Sequence, residues 1–452
     1  MLDKLPAPPA HIHIIGIGGA GMSPIARVLL GRGYTVSGSD RQKNTNTAAL
    51  EREGATIYEG HAAENITGAQ LVLITSAAQA DNPEIVAAEA VRIPVLKRRD
   101  ALGAITAGYD VIAVAGTHGK TTTSALITHL LMATGHDPTY IIGGTLLNTG
   151  SNAGVGKSQW FVIEADEYDY MFLGLQPKIA VITNIEHDHP DMFPGLEDVL
   201  NAFRQFAERI RPDGMLVGLQ DDPNVAAIMN HARLWRRLVV PYGGDNAGRY
   251  VSDLLVGYGA MPPTLSGYHN LLNSFAAALV TTLVHQSKEG IGAGLSSFRG
   301  TGRRMEFMGI AATGAQIYND YGHHPTALRA TLQGARSRFG DAKIWAVWQP
   351  HTYSRTNLLA QEFSEAFKGA DHALITDIYA SREQPPPDHA FTKPGDLAHM
   401  AREAGHPDAR ASGDLLTTAK LLRLETQPGD VVIIFSAGDA PRIGEMLIRG
   451  EV

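Results

Sequence analysis

The stretch GTHGKTTT, Gly116 to Thr123, sets two glycines three residues apart and follows them with a lysine and three threonines. Glycines so spaced let the backbone turn tightly, and successive N–H groups can then converge on an anion. Lys120 can reach terminal phosphates from there, and the Thr121 hydroxyl can ligate a divalent cation. A β-branched apolar run, VIAVAG, comes before, and helix-compatible residues come after, whose N-terminal end favours negative charge. The strict phosphate-loop pattern G-x-x-x-x-G-K-[ST] asks for a glycine where Val114 stands. A glycine turn carrying a solvated lysine is the alternative; the strand before and the helix after favour phosphate.

Two acidic runs sharpen that reading. FVIEADEYD ends an apolar pattern with Glu164, Asp166, Glu167 and Asp169, and TNIEHDHPD ends another with Asn184, Glu186, His187, Asp188, His189 and Asp191. In open α/β sheets ligands bind at the carboxyl ends of strands. Carboxylates and imidazoles placed there, beside a phosphate loop, suit ATP with Mg²⁺. Either run alone reads as a hydrated loop with helix-capping acids.

A second glycine loop competes. Gly16, Gly18 and Gly21 satisfy G-x-G-x-x-G, and Asp40 ends the next strand pattern. By that fingerprint an NAD-dependent oxidoreductase is the rival from another class. It leaves the lysine loop and the acidic strand ends unexplained, and the same turn cradles any pyrophosphate, that of a UDP-sugar included. A non-catalytic nucleotide-binding regulator is a third class.

The elements that must hold these loops read as α/β throughout. Strand patterns at His11 to Ile15, YTVSGSD, ATIYEGH and LVLITS alternate with helical stretches, as do VIAVAG, WFVIEADE and IAVITNIEHDH. AQIYND, KIWAVWQP, HALITDIY and DVVIIFSAG form a third set. The helix after the lysine loop should end at Gly135, and QPPPD, Gln384 to Asp388, reads as a stiff extended loop. The region 240–265 is poor in signals and reads as short antiparallel strands. Three tandem α/β domains result, at 1–105, 106–300 and 301–452: Rossmann-like, phosphate-loop ATPase-like and Rossmann-like.

Composition sets bounds on partners. With 452 residues, 44% hydrophobic and 19% charged, the chain has material for several separate cores. A net charge of −8 and a pI near 6.1 give no polyanion-binding surface, so no nucleic-acid partner is expected. The absence of cysteine removes disulfides, thiolate zinc sites and cysteine nucleophiles together. Prolines precede a short, glycine-broken apolar run at the start, unlike a secretory signal, and no stretch approaches the ~18 apolar residues of a membrane span. The expectation is a cytoplasmic protein without a membrane partner, monomeric or homodimeric.

The combination of motifs, taken in order, resembles the Mur ligase family of peptidoglycan synthesis. HIHIIGIGGAGMS, VSGSD, SAAQADNPE, AVAGTHGKTTT, EADEYD, TNIEHDHPD, YHNLLN, GTGRRMEF, YGHHPT, QPHTYSRT and DIYASRE carry the resemblance nearly end to end. The family writes its ATP loop G-T-x-G-K-[ST], which accounts for Val114. The resemblance implies an ATP-dependent ligase joining L-alanine to the lactyl carboxylate of UDP-N-acetylmuramate through an acyl phosphate.

By that resemblance Gly18, Gly19, Ala20, Gly21 and Met22 surround the pyrophosphate of the UDP-sugar, with Asp40, His61, Ser76 and Asn82 as further contacts. ATP would be bound by Gly116, Thr117, His118, Gly119, Lys120, Thr121 and Thr122, with His269, Asn270 and Asn273 on the adenine side and Arg304 and Asp320 closing over it. Thr121, Glu167 and His189 would hold Mg²⁺, or Mn²⁺ in its place. Tyr321, His323, His351 and Arg355 would place the amino acid, and Lys120, Glu167, His189, His323 and Arg355 would act in catalysis. Several of these have a bland reading: His61 as a surface histidine, Asn273 as a cap, His351 and Arg355 as loop supports.

Departures from the family pattern matter too. Tyr168 replaces a common serine in the acidic run. With Asp191-Met192-Phe193 it leans toward the family's recycling ligase, which attaches a whole murein tripeptide to the same sugar nucleotide. Thr352 stands where some alanine-adding members have arginine, which shifts amino-acid recognition toward Arg355. No lysine occurs between Lys178 and Lys288, against the carbamylated lysine that later-acting members place beside a second metal ion.

Overall fold

The computed structural model describes residues 5–244, 262–265, 267–381, 383–387 and 391–452. Short aliphatic and β-branched runs form three sheets, and most strands are joined by helices that return the chain for parallel pairing. The first sheet holds β1 (His11–Ile15), β2 (Thr35–Asp40), β3 (Thr56–Glu59), β4 (Leu71–Ile74) and β5 (Val95–Lys97) in the order β3-β2-β1-β4-β5, all parallel.

The second sheet is larger. It comprises β6 (Asp110–Ala115), β7 (Thr139–Leu146), β8 (Ser151–Gly154), β9 (Trp160–Glu164), β10 (Ile179–Ile182), β11 (Met215–Leu219) and β12 (Leu238–Tyr242), ordered β12-β11-β10-β6-β9-β7-β8. β6 lies between β9 and β10, with Val114 opposite Glu164 and Ala115 opposite Ile182. The three strands therefore end level, and the loops that follow them emerge side by side at the carboxyl edge. β6 and β10 are buried along nearly their whole length, as the sheltered centre of a parallel sheet requires.

The third sheet contains β13 (Glu306–Ile310), β14 (Gln316–Asp320), β15 (Ile344–Trp348), β16 (His372–Thr376), β17 (Ala409–Gly413) and β18 (Val431–Phe435), ordered β13-β14-β18-β15-β16-β17. Only the hairpin partner β13 runs antiparallel there. The α/β class read from the sequence holds in all three sheets.

The chain divides into two compact units. Met1–Asp188, Met192–Pro262 and Asn273–Arg299 form the first; His189–Asp191, Pro263–Leu272 and Gly300–Val452 form the second. The first two sheets share one apolar core running from Ile12 and Leu29 to Phe203 and Ile228. The third has a core on each face, one around Trp348 and Phe363 and the other around Trp345 and Ile443.

Local expectations fare unevenly. The helix after the lysine loop runs Lys120–Ala133, and Gly135 follows it with φ of +84°. Around 240, the described chain is β12, parallel to β11 rather than antiparallel, because it completes another crossover; residues 245–261 lie outside the described residues. Residues 384–387 carry no regular structure, and Asp388 lies outside the described residues. Among the described residues no helix is long and apolar enough to cross a membrane.

Candidate nucleotide and substrate site

The lysine loop leaves the end of β6 through Gly116, whose φ of +129° few side chains tolerate. A Cβ there would lie 2.1 Å from the Thr183 hydroxyl oxygen and 2.9 Å from the Asn184 carbonyl oxygen. The strand end of β10 braces the turn. The Thr117 and His118 N–H groups donate to the Asn184 carbonyl and side-chain oxygens at 2.9 and 2.8 Å. The Thr183 hydroxyl donates to the His118 carbonyl at 2.6 Å, and the Glu186 N–H donates to the Thr117 hydroxyl at 2.8 Å. Such bracing fixes the direction of the loop amides before any ligand arrives.

Lys120 opens the helix and turns back over the loop. Its ammonium donates to the Gly116 carbonyl at 2.6 Å and to both Glu167 oxygens at 2.8 and 3.1 Å. Burial alone would pull this ammonium down. The charges of Glu167, Asp166 and Glu164, with the hydrogen bond to Glu167, instead raise it above the ordinary lysine value. Lys120 is thus a fixed cation with acidic groups gathered about it at the end of β9. Thr121 and Thr122 are buried on the same first turn, and the Thr123 hydroxyl donates to Asn273 Oδ1 at 3.2 Å.

The acids divide by role. Glu164 accepts from the Gly143 N–H at 2.8 Å, Asp166 from the Tyr168 N–H at 3.2 Å, and Asp169 from the Ser76 hydroxyl. Asp169 and Tyr170 have φ near +55°, an uncommon conformation for such residues that kinks the chain as it leaves the strand. His187 Nε2 donates to the Phe193 carbonyl at 2.8 Å and so staples its own loop. Thr121 and Glu167 belong to the first unit, and His189 groups with the second. A threonine hydroxyl and a buried carboxylate are oxygen donors of the kind that suit Mg²⁺ or Mn²⁺.

In the first sheet the Gly16–Met22 loop follows β1. The Gly18 N–H donates to Asp40 Oδ2 at 3.0 Å, while Asn46 Nδ2 donates to the Gly18 carbonyl at 2.9 Å. Asp40 therefore shapes the loop as well as lying beside it. His61 Nδ1 lies 2.9 Å from the Ser39 hydroxyl and 3.0 Å from Glu84, so it is tied into the interior and is no loose surface histidine. Asn82 caps the helix Pro83–Ala90, accepting from the Glu84 N–H at 2.9 Å.

The second unit gathers the remaining residues around the ends of β14 and β15. Asp320 is buried and accepts from the Met305 and Gly322 N–H groups at 2.9 and 2.8 Å. Burial pushes its carboxyl up, against the pull of Arg304, the two backbone donors and Arg303. Arg303 and Arg304 stack over the Tyr321 ring at 4.6 and 5.2 Å. His323 Nδ1 donates to the Tyr321 carbonyl at 3.0 Å; since a carbonyl only accepts, Nε2 is the basic nitrogen of the neutral ring.

Arg355 is buried, with Nη1 3.2 Å from His351 Nδ1 and Nη2 3.5 Å from His189 Nδ1. Thr352, at φ +66° and ψ 146°, caps the short helix that carries Arg355. That conformation costs roughly 1–3 kcal/mol and is held by the bond from the Thr352 N–H to the Tyr379 carbonyl at 2.9 Å. His324 caps the helix Pro325–Phe339 through Nδ1, 3.3 Å from the Thr326 N–H. His269 and Asn270 open the helix Tyr268–His285 and group with the second unit, whereas Asn273 groups with the first.

Residues 11–110 match the family model described as Mur ligase family, catalytic domain; residues 114–281 match the Mur ligase middle domain, and 303–438 the Mur ligase, glutamate ligase domain. The chain belongs to the Mur ligase family. The UDP-N-acetylmuramate–L-alanine ligase of Alkaliphilus metalliredigens is 38% identical over 455 residues, covering 97% of each chain. That of Thermobifida fusca is 40% identical over 472 residues, covering 99% of this chain and 97% of the relative.

Among solved structures, a UDP-N-acetylmuramate–alanine ligase from Thermotoga maritima superposes with a TM-score of 0.77 at 24% identity, covering 98% of this chain and 99% of the other. A murein peptide ligase from Psychrobacter arcticus gives 0.68 at 24% identity, covering 97% and 98%. Both share the fold of this Mur ligase. Membership of the family sets aside the dehydrogenase reading of the first glycine loop.

Two groups in this Mur ligase escaped the sequence reading. Arg98 places its guanidinium against Gly21, and Glu84 is fully buried at the centre of a polar network. Arg98 directly follows β5, at a carboxyl sheet edge, but three residues of strand gave no period to find it by. Glu84 lies in the first turn of the helix Pro83–Ala90, and only the tertiary fold buries it.

Proposed function

We propose that this Mur ligase couples ATP cleavage to amide-bond formation between L-alanine and the lactyl carboxylate of UDP-N-acetylmuramate, in the cytosol. The observation that carries the reading is the Gly116–Thr122 loop, braced by β10, with Lys120 fixed among the carboxylates that end β9. Relatives that bear the alanine-ligase name over nearly the whole chain support alanine over the tripeptide.

Three functional regions follow: 1–105 for the sugar nucleotide, 106–300 for ATP and 301–452 for the amino acid. The carboxylate is a poor acylating agent, so it first attacks the γ-phosphate and gives an acyl phosphate and ADP. Lys120 and the loop amides hold the transferred phosphoryl group, where positioning and electrostatics are the main tools. Thr121, Glu167 and His189 would hold Mg²⁺ or Mn²⁺, which would spread the charge of the phosphates.

The neutral amine of alanine then attacks the acyl carbon, and phosphate leaves. Arg355 is suited to the alanine carboxylate, since a guanidinium pairs with a carboxylate through two parallel donors. His323 Nε2 is the nitrogen suited to take the amine proton. His269, Asn270 and Asn273 serve the adenine side, with Arg304 and Asp320 over ATP.

Phosphate release measured with ATP should need both UDP-N-acetylmuramate and L-alanine, and the product should gain the mass of one alanine residue. Lys120→Ala should abolish turnover while UDP binding is kept. Turnover with the tripeptide and not with free alanine would establish the recycling reaction instead. ATP binding without turnover on either acceptor would sink both.

A further inference from the structure

We propose that Arg98 binds the diphosphate of the sugar nucleotide on the Gly16–Met22 turn. The proposal rests on the sugar-nucleotide reading of the first sheet and adds a residue which neither the motif nor the fold class supplies. Arg98 is the first residue of the helix Arg98–Thr106, reached directly from β5, whereas the turn follows β1. Chain topology alone brings the two together at one carboxyl edge.

The approach is close. A Cβ on Gly21 would lie 2.3 Å from Arg98 Nη1, 2.4 Å from Cζ and 2.9 Å from Nε. Gly21 does not have a positive φ, so the guanidinium lying on its Cα is what requires a glycine there. Packing fixes the base of the side chain as well. The helix lies against the segment Tyr168–Gly174, where a Cβ on Gly174 would come 2.0 Å from the Arg99 carbonyl oxygen.

The electrostatics point the same way. Arg98 Nε is buried without a hydrogen-bond partner, which is rare, because an unmade buried donor bond costs about 1–3 kcal/mol. Burial weakens the hold of Arg98 on its proton, and the charges of Asp166, Glu164 and Asp169 oppose that effect. Those three carboxylates would repel an anion brought to Gly21, and Arg98 is the cation standing against the turn. A guanidinium presents five donors in a planar fork, the shape that pairs with phosphate oxygens two at a time. The turn contributes backbone amides, and Arg98 contributes the charge.

The test is calorimetric titration of the full-length protein with UDP, uridine and UDP-N-acetylmuramate. Arg98→Gln should weaken UDP about 10- to 100-fold, the range of a charge-assisted hydrogen bond, and leave uridine within about twofold. Arg98→Lys keeps the charge and loses the fork, so it should fall between. Gly21→Ala should behave like Arg98→Gln, because the new methyl group displaces the guanidinium.

Unchanged UDP affinity in Arg98→Gln would overturn the proposal. So would equal loss of UDP and uridine in Arg98→Lys, which marks a structural role. Loss of UDP-N-acetylmuramate with UDP binding intact would give the guanidinium to the sugar's carboxylate, and overturn it too. Failure of the wild-type protein to bind UDP would strike the sugar-nucleotide reading itself.

Discussion

Lys120 and Glu167 form an ion pair whose side chains are 13% and 3% exposed. Removing one partner leaves the other charged and largely buried, which costs about 3–5 kcal/mol, whereas replacing both is far cheaper. Glu167→Gln should therefore lower the urea midpoint strongly. Lys120→Met with Glu167→Gln should recover much of that loss, a coupling of more than ~1 kcal/mol in a double-mutant cycle. Additive losses would show the pair to be uncoupled. The catalytic consequence is separate: every variant in the cycle lacks a group that the proposed phosphoryl transfer uses. The lysine was legible in sequence because glycine, lysine and threonine spacing is local. Residue pattern alone left its partner as one of four acids, since β9 and β6 must pair before Glu167 can be told from Glu164, Asp166 and Asp169; the family resemblance is what singled it out.

At the scale of elements, the polar network under the first sheet joins β1, β2 and two helices. Glu84 accepts from the Ser39 hydroxyl at 2.6 Å and Asn65 Nδ2 at 2.7 Å, and lies 3.0 Å from His61 and 3.6 Å from His13. Burial pushes this carboxyl up, but the nearby His13 imidazole and the hydrogen bonds from Ser39 and Asn65 outweigh it and hold it at about 2, against an ordinary 4.5. A depressed carboxylate stabilises the fold fully above its unfolded value, and that stability is lost as pH falls from about 4.5 toward about 2. The gap amounts to roughly 3 kcal/mol. Urea midpoints should drop across that window, and Glu84→Gln should flatten the drop while lowering stability at neutral pH. An unchanged slope would place the acid sensitivity elsewhere. Interior strands such as LVLI, DVIAVA, IAVI and VVIIF were legible because they are largely apolar runs. Of the edge strands, β3 was legible in ATIYEGH, but β17, which reads ARASG, and β13, which reads EFMGI, were not, because pairing with a neighbour, and no hydrophobic period, makes the strand.

Across the whole molecule, cores and sheets do not correspond one to one. The first two sheets share one continuous core, so the boundary near residue 105 that the alternation of strands and helices suggests falls between two sheets packed on common apolar residues. The third sheet has cores of its own on both faces. Calorimetry should accordingly resolve two unfolding transitions and not three, the larger belonging to the first unit. UDP assigns them, because a ligand stabilises only the unit that binds it. At a free concentration of about 100 Kd the gain is about 2.7 kcal/mol, enough to raise the larger transition by a few degrees. The smaller transition should stay in place, and Arg98→Gln should cut the gain at the same UDP concentration to about 0.4–1.4 kcal/mol. Equal movement of both transitions would mean that the units unfold together, and a shift confined to the smaller one would move the sugar nucleotide to the third sheet.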